Sequence, residues 1–217
     1  MGTILASAIK TRILKDLPEK QSGLYLDTDY LQWINEGQVQ AVIHKPDVNV
    51  TNAAQVLVAG TKQSIGTTGI AFVKATRNMG TDGATPGNPV YPVDMEQFSR
   101  RNRTWHTATA SATVQKYMYD PNDPKTYYVY PPQPSSSFGY LEIVKSVVPT
   151  DISAIGSAIN IGDEYATVLY HYGSYKANIE MDIQKAMMHL NQFYSLLGRL
   201  DLVEWKTSRK VTKEAAQ

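Results

Sequence analysis

The sequence predicts an α+β protein: a four-helix bundle, with two N-terminal and two C-terminal helices, carrying an antiparallel β-rich insertion. Three observations predict it. Apolar residues recur at helical steps near both ends of the chain, and between them they alternate or cluster in short runs. Gly, Pro, Asn and Thr punctuate those central runs, as turns between strands require. The expected segments are 1–47 (first helices), 48–148 (β-rich insertion), 149–200 (last helices) and 201–217 (a tail).

Ile4, Leu5, Ala8, Ile9, Ile13 and Leu17 form the stripe of a first helix, which Pro18 ends. A second helix is expected near Asp29, whose carboxylate can cap free amides, with Gln32 completing a capping-box-like pair. Leu31, Ile34, Gln38 and Val42 trace its inner side, and Pro46 closes it. Expected strands are 54–59, 69–77, 89–93, 112–119, 126–132 and 139–148, with a Gly- and Pro-rich loop at 78–89 and a short helix over 95–103. Asp163 and Glu164 suit the positive end of a third helix, on which Tyr165, Val168, Leu169, Tyr172 and Tyr175 make a stripe. In the last helix Ile183, Met187, Leu190, Tyr194 and Leu197 are expected inward, with Gly198 as its C-cap.

The stretch YMYDPNDPKTYYVYPP (117–132) is a hairpin. Tyr117 and Tyr119 are two apart, as are Tyr128 and Tyr130, so each pair shares a strand face. Pro121 and Pro124 set turn corners, while Asn122 and Asp123 can bond their own backbone. Tyrosine faces suit a partly buried sheet or a protein contact.

Of 217 residues 42% are hydrophobic, enough for a substantial core, and 21 basic residues nearly cancel 20 acidic ones. That balance argues against a chain built mainly to coat nucleic acid. The absence of cysteine removes disulfides, thiolate metal sites and cysteine nucleophiles together. No apolar run approaches the roughly 20 residues that span a bilayer, and Lys10 and Arg12 interrupt any leader-like start. A soluble chain with no membrane partner is expected.

Catalytic and cofactor signatures are weak. His44, His106, His171 and His189 show no metal-ligand spacing, and His106 near Ser111 lacks a nucleophile elbow. GTDGATPG (80–87) has no following helix start and no phosphate-loop spacing. Neither enzyme, cofactor nor metal is therefore expected. Arg100, Arg101 and Arg103 form either a solvated helix end or a patch facing DNA or an acidic neighbour. The tail offers Trp205 as an aromatic anchor beside Lys206, Arg209, Lys210 and Lys213.

Several stretches together resemble the adaptor (head–tail connector) proteins of short-tailed bacteriophages: 27–38, 57–65, 77–87, the hairpin region 105–132, and GDEYATVLYHYGSYKAN (162–178). The hairpin pattern YDP.DPKT.YVYPP is the most specific. The resemblance implies a structural protein, not an enzyme, that forms a ring, typically a dodecamer, in the virion at the head–tail interface after synthesis in the host cytoplasm. Its implied partners are the portal protein, the tail nozzle protein, further copies of itself and, more remotely, tail fibres. Genome DNA would pass through the channel without specific binding.

The chain departs from typical members of that family mainly at 99–103 and in the tail. As an aromatic anchor with basic neighbours, Trp205, Lys206, Arg209, Lys210 and Lys213 are candidates for portal docking. Tyr117, Tyr119, Tyr128, Tyr130, Arg100, Arg101 and Arg103 are candidates for neighbour or nozzle contact, the three arginines being expected to meet protein acids. Two other classes compete. A tail-associated, glycan-degrading hydrolase needs two carboxylates across a cleft, yet the acids of the β region are scattered and mostly at turns. A small DNA-binding module is disfavoured by the balanced charge.

Overall fold

Two helices, α1 (Ala6–Asp16) and α2 (Asp27–His44), precede the strands, and two more, α4 (Ala166–Asn178) and α5 (Ile183–Glu214), follow them. A computed structural model describes residues 2–18 and 23–214, with side chains placed as far as Gly198. The chain forms two compact units: Met1–Val48 with Pro149–Gln217, and Asn49–Val148.

The α+β class is partly consistent with this arrangement, but the four-helix bundle is wrong. Among the described residues there are five α-helices and seven strands in two sheets, and the fifth helix, α3 (Met95–Arg101), belongs to the β unit. In a bundle each helix packs against two neighbours around a shared axis. Here α4 is a hub that packs against α1, α2 and α5, while α1 and α2 meet each other only slightly. Its sequence explains the role. Val168, Leu169, Tyr172, Gly173, Ser174, Ala177 and Asn178 are all buried, too wide a spread for one stripe. Glycine permits two close approaches. A Cβ on Gly37 of α2 would lie 3.1 Å from Tyr172, and one on Gly173 would lie 2.4 Å from Cδ1 of Ile13.

Helix boundaries depart from expectation for local reasons. Asp29 does serve the start of α2, but from inside the first turn: its carboxylate accepts the Leu26 amide at 2.7 Å, and Gln32 bonds Glu36 instead. Gly198 is not a C-cap, because α5 runs on to Glu214 through the expected tail boundary at 201.

In the β unit, β1 (Val50–Val56), β7 (Tyr140–Val147) and β3 (Gly69–Asn78) form a sheet in the order β1-β7-β3. The second sheet runs β2 (Gly60–Ser64), β6 (Thr126–Gln133), β5 (Lys116–Tyr119), β4 (Tyr91–Pro92). Its pairings are antiparallel except for β4 with β5, a two-residue parallel pairing that departs from an all-antiparallel insertion. Between the sheets lie Leu57, Ile65, Phe72, Ala75, Tyr117, Tyr127, Val129, Leu141 and Ile143. Phe98 of α3, with Trp105 and Met118, makes a second small core that Tyr128 and Tyr130 flank. Thus β6 is covered on both faces.

Buried amides hold this unit's turns. Strand β2 escapes an apolar pattern because its inward residues are Thr61 and Gln63. Gln63 accepts from the Val58 amide and donates to the Val58 carbonyl, each at 2.8 Å. Asn78 likewise receives the Val114 amide and donates to the carbonyls of Val114 and Asn88. Such paired contacts satisfy groups that would otherwise be costly to bury.

Candidate interaction surfaces

The hairpin tyrosines divide by face. Tyr117 and Tyr119 both meet Phe72, with ring centroids 5.6 and 5.7 Å away, but Tyr117 is buried and Tyr119 is 43% exposed. On the opposite face Tyr130 meets Phe98 at 5.1 Å and Tyr128 meets Trp105 at 6.0 Å. The tyrosine that fills the core is Tyr127, which no expected pair contains. It is fully buried and stacked on Phe72 at 4.5 Å, and burial pushes its phenol well above the ordinary value. Its signal was its parity: Tyr127 alternates with Val129, while Tyr128 and Tyr130 occupy the other face. Of the four expected contact tyrosines, Tyr119 is the exposed one.

The hairpin tip is fastened rather than free. Asp120 accepts the Asn122 amide at 2.9 Å, and the Pro124 and Lys125 carbonyls accept the Phe72 and Ile65 amides at 2.7 and 3.1 Å. Beside it Tyr119, Asp120, Asp94, Glu96 and Met95 line an open groove of about 800 Å³.

The glycine-rich loop proves to be a turn of its own. Asp82 accepts the Ala84 and Thr85 amides and the Thr85 hydroxyl, and those bonds bring its carboxyl down to about 2. Gly80 and Gly83 take φ of +65° and +75°, which side chains resist.

Arg100, Arg101 and Arg103 are all exposed. Arg100 lies 3.4 Å from Glu96 across one helical turn, with both side chains over 80% exposed, so the pair contributes little. Among the described residues no acid of the same chain pairs with Arg101 or Arg103. Trp205, Lys206, Arg209, Lys210 and Lys213 lie beyond the described side chains.

The largest revision concerns α5. Ala186, His189, Phe193 and Leu197 face inward, at steps of three or four residues. The expected inner stripe is instead rotated outward at Ile183, Met187 and Tyr194, and Leu190 is half-buried. Leu197, also expected inward, is buried. Met188 is exposed too, but it projects about 100° away from Met187, among Gln184, Gln192 and Ser195, and His44 of α2 meets Tyr194 at 4.9 Å. The apolar arc of α5 is wider than the face that α4 covers. Unpartnered apolar area of this kind is characteristic of interaction surfaces. On the α2–α4 side, Leu31, Val39, Glu36, Tyr172 and Lys176 line an open groove of about 720 Å³, crossed by a Lys176–Glu36 ion pair at 2.7 Å.

Two histidines on different helices come together: Nδ1 of His171 on α4 is 3.0 Å from Nδ1 of His189 on α5. The signal was available. Glu180, in the turn between the two helices, is midway between them in sequence. His106 and Ser111 are engaged separately: His106 bonds Thr61 at 2.9 Å, and Ser111 accepts the Thr113 amide. Among the described residues no cluster of three or more His, Asp or Glu could hold a metal, and no helix is long and apolar enough to cross a membrane. No family model and no curated protein matches the chain.

Proposed function

We propose that the chain is a structural adaptor at the head–tail junction of a short-tailed phage. In this reading it forms a dodecameric ring that joins the portal protein to the tail nozzle protein and encloses the exit channel. DNA passes without specific binding, tail fibres are at most neighbours, and no catalysis is involved. The virion is its place of action, reached after synthesis in the host cytoplasm.

The observation that carries the reading is the hairpin pattern YDP.DPKT.YVYPP, supported by the other segments that resemble the adaptor family. Those residues do structural work that an adaptor would need from a rigid module: Asp120 turns the tip, Pro124 accepts from β3, and the following strand carries Tyr127 into the core. The outward face of α5 supports the assembly part of the reading, since a ring needs the same contact repeated at every subunit. In this reading Trp205, Lys206, Arg209, Lys210 and Lys213 dock on the portal, and Tyr119, Arg101 and Arg103 are free to meet a neighbour or the nozzle.

Electron microscopy of DNA-filled, tail-less heads mixed with the full chain tests this. A ring of added density at the portal vertex is expected, and deletion of residues 204–217 should weaken its attachment. Heads that gain no density at that vertex would overturn the reading.

A further inference from the structure

The histidine pair leads to a group on a third helix. Nε2 of His189 is 2.8 Å from Oδ2 of Asp16, the last residue of α1. At 3.0 Å the two Nδ1 atoms hold one proton between them, because one ring must donate and the other accept. The Asp16 and His189 atoms are not aligned as a hydrogen bond, but the carboxylate charge still favours a proton on the nearer ring nitrogen, which assigns the tautomers. His189 is protonated at Nε2 and accepts at Nδ1, and His171 donates from its Nδ1.

The surroundings bring charge from all three helices. Lys185 of α5 donates to the Asp16 backbone carbonyl and stands 3.6 Å from its carboxylate, so it also caps the end of α1. Tyr170 of α4 places its ring 4.8 Å from that of His171 and 5.8 Å from that of His189. Arg12 of α1 lies over Tyr170 at 4.6 Å.

We propose that His171, His189 and Asp16 form an acid-responsive latch, which fastens the C-terminal end of α1 to α4 and α5 and opens when the pair takes up a further proton. That proton has two places to go. On Nδ1 of His189 it sets two N–H groups against each other and breaks the ring-to-ring bond. On Nε2 of His171 it creates a partly buried cation near Arg12 and His189.

Burial first, then His189 and Arg12, hold His171 below the ordinary imidazole value. Burial likewise holds His189 down, against the opposing pull of Asp16. The sign follows from linkage. Above about pH 6.5 the rings are neutral whether latched or released, and the latch is at full strength. Below it the released rings bind protons that the latched rings do not, so latching weakens as pH falls.

Hydrogen exchange on the full chain at about pH 7.5 and about pH 5.5, corrected for intrinsic rates, reads this directly. Protection of α1 should fall at least about tenfold more than that of β6. In the double variant His171→Gln, His189→Gln the side chains hydrogen-bond but do not titrate, and the α1-specific fall should shrink to less than about twofold. Parallel loss in α1 and β6, or an undiminished α1-specific fall in the double variant, would overturn the latch. If the double variant does not fold, two measurements replace it: exchange in His171→Gln, and the ring-proton titration of the wild-type chain. An α1-specific fall unchanged by His171→Gln, or ring titration of His171 and His189 at the free imidazole value, would equally overturn it.

Discussion

The β unit and the helical unit use their aromatic and apolar residues in opposite ways. In the β unit the conspicuous tyrosine hairpin is mostly consumed by its own cores, between the sheets at Tyr117 and Tyr127 and against α3 at Tyr128 and Tyr130. In the helical unit the apolar arc of α5 is wider than its packed face and leaves Ile183 58% and Met187 45% exposed. The contrast teaches that abundance of an interface-prone residue does not locate an interface. What locates one is apolar area that the chain's own partners leave uncovered.

The largest effect expected is at the center of the β unit. Tyr127→Ala removes a fully buried ring stacked on Phe72 and should cost about 3–5 kcal/mol in denaturant unfolding. Tyr128→Ala, at a half-buried ring, should cost clearly less; equal costs would break the division by face. Among the described residues the buried Tyr127 hydroxyl has no hydrogen-bond partner, so Tyr127→Phe should be neutral or stabilising by up to about 1 kcal/mol.

Next in size is the hub of the helical unit. Gly173→Ala drives a methyl into Ile13, which is itself fully buried, and should cost about 1–3 kcal/mol. Adding Ile13→Val, which shortens that side chain, should return part of the loss. A double variant no better than Gly173→Ala alone would mean that α1 and α4 do not meet there as described.

A smaller effect is expected at the other end of α1. Asp163 accepts the Thr3 hydroxyl and amide, both at 2.6 Å, and the Ile4 amide at 2.9 Å. The Thr3 hydroxyl, then the Ile4 amide, hold its carboxyl below the ordinary value. Its stabilising effect is therefore present above the unfolded carboxylate value of about 3.9 and lost as pH falls through the lower folded one. Asp163→Asn should flatten that acid limb of a melting-temperature profile and leave the profile near neutrality almost unchanged in shape.

How much of this was legible in the sequence depended on whether burial followed periodicity. Strands β3, β6 and β7 were legible because β-branched and aromatic runs sat between turn residues. Strand β2 was not, because its buried positions are Thr61 and Gln63, whose hydrogen bonds replace apolar burial. The period of α5 was right and its phase only partly so: Leu190 and Leu197 lie where the expected and observed stripes overlap, and an apolar arc wider than one packed face does not say which part of it packs. Fourfold bundling failed for a related reason: the breadth of burial on α4 makes it a hub, and stripe-counting treats every helix alike. The His171–His189 contact needed the antiparallel pairing of α4 and α5 before spacing around Glu180 acquired meaning.

The smallest effect on stability bears on the proposal most. Ile183→Glu and Met187→Lys alter exposed side chains and should shift folding by no more than about 0.5 kcal/mol. The most direct measurement is the amount and symmetry of full chain bound at the portal vertex of tail-less heads, compared between wild type and the double variant. A closed ring of wild-type subunits, and little or no ring with the equally stable variant, is the outcome expected if α5 carries the assembly. A variant that builds the ring as completely as wild type would contradict that role for the outer face of α5.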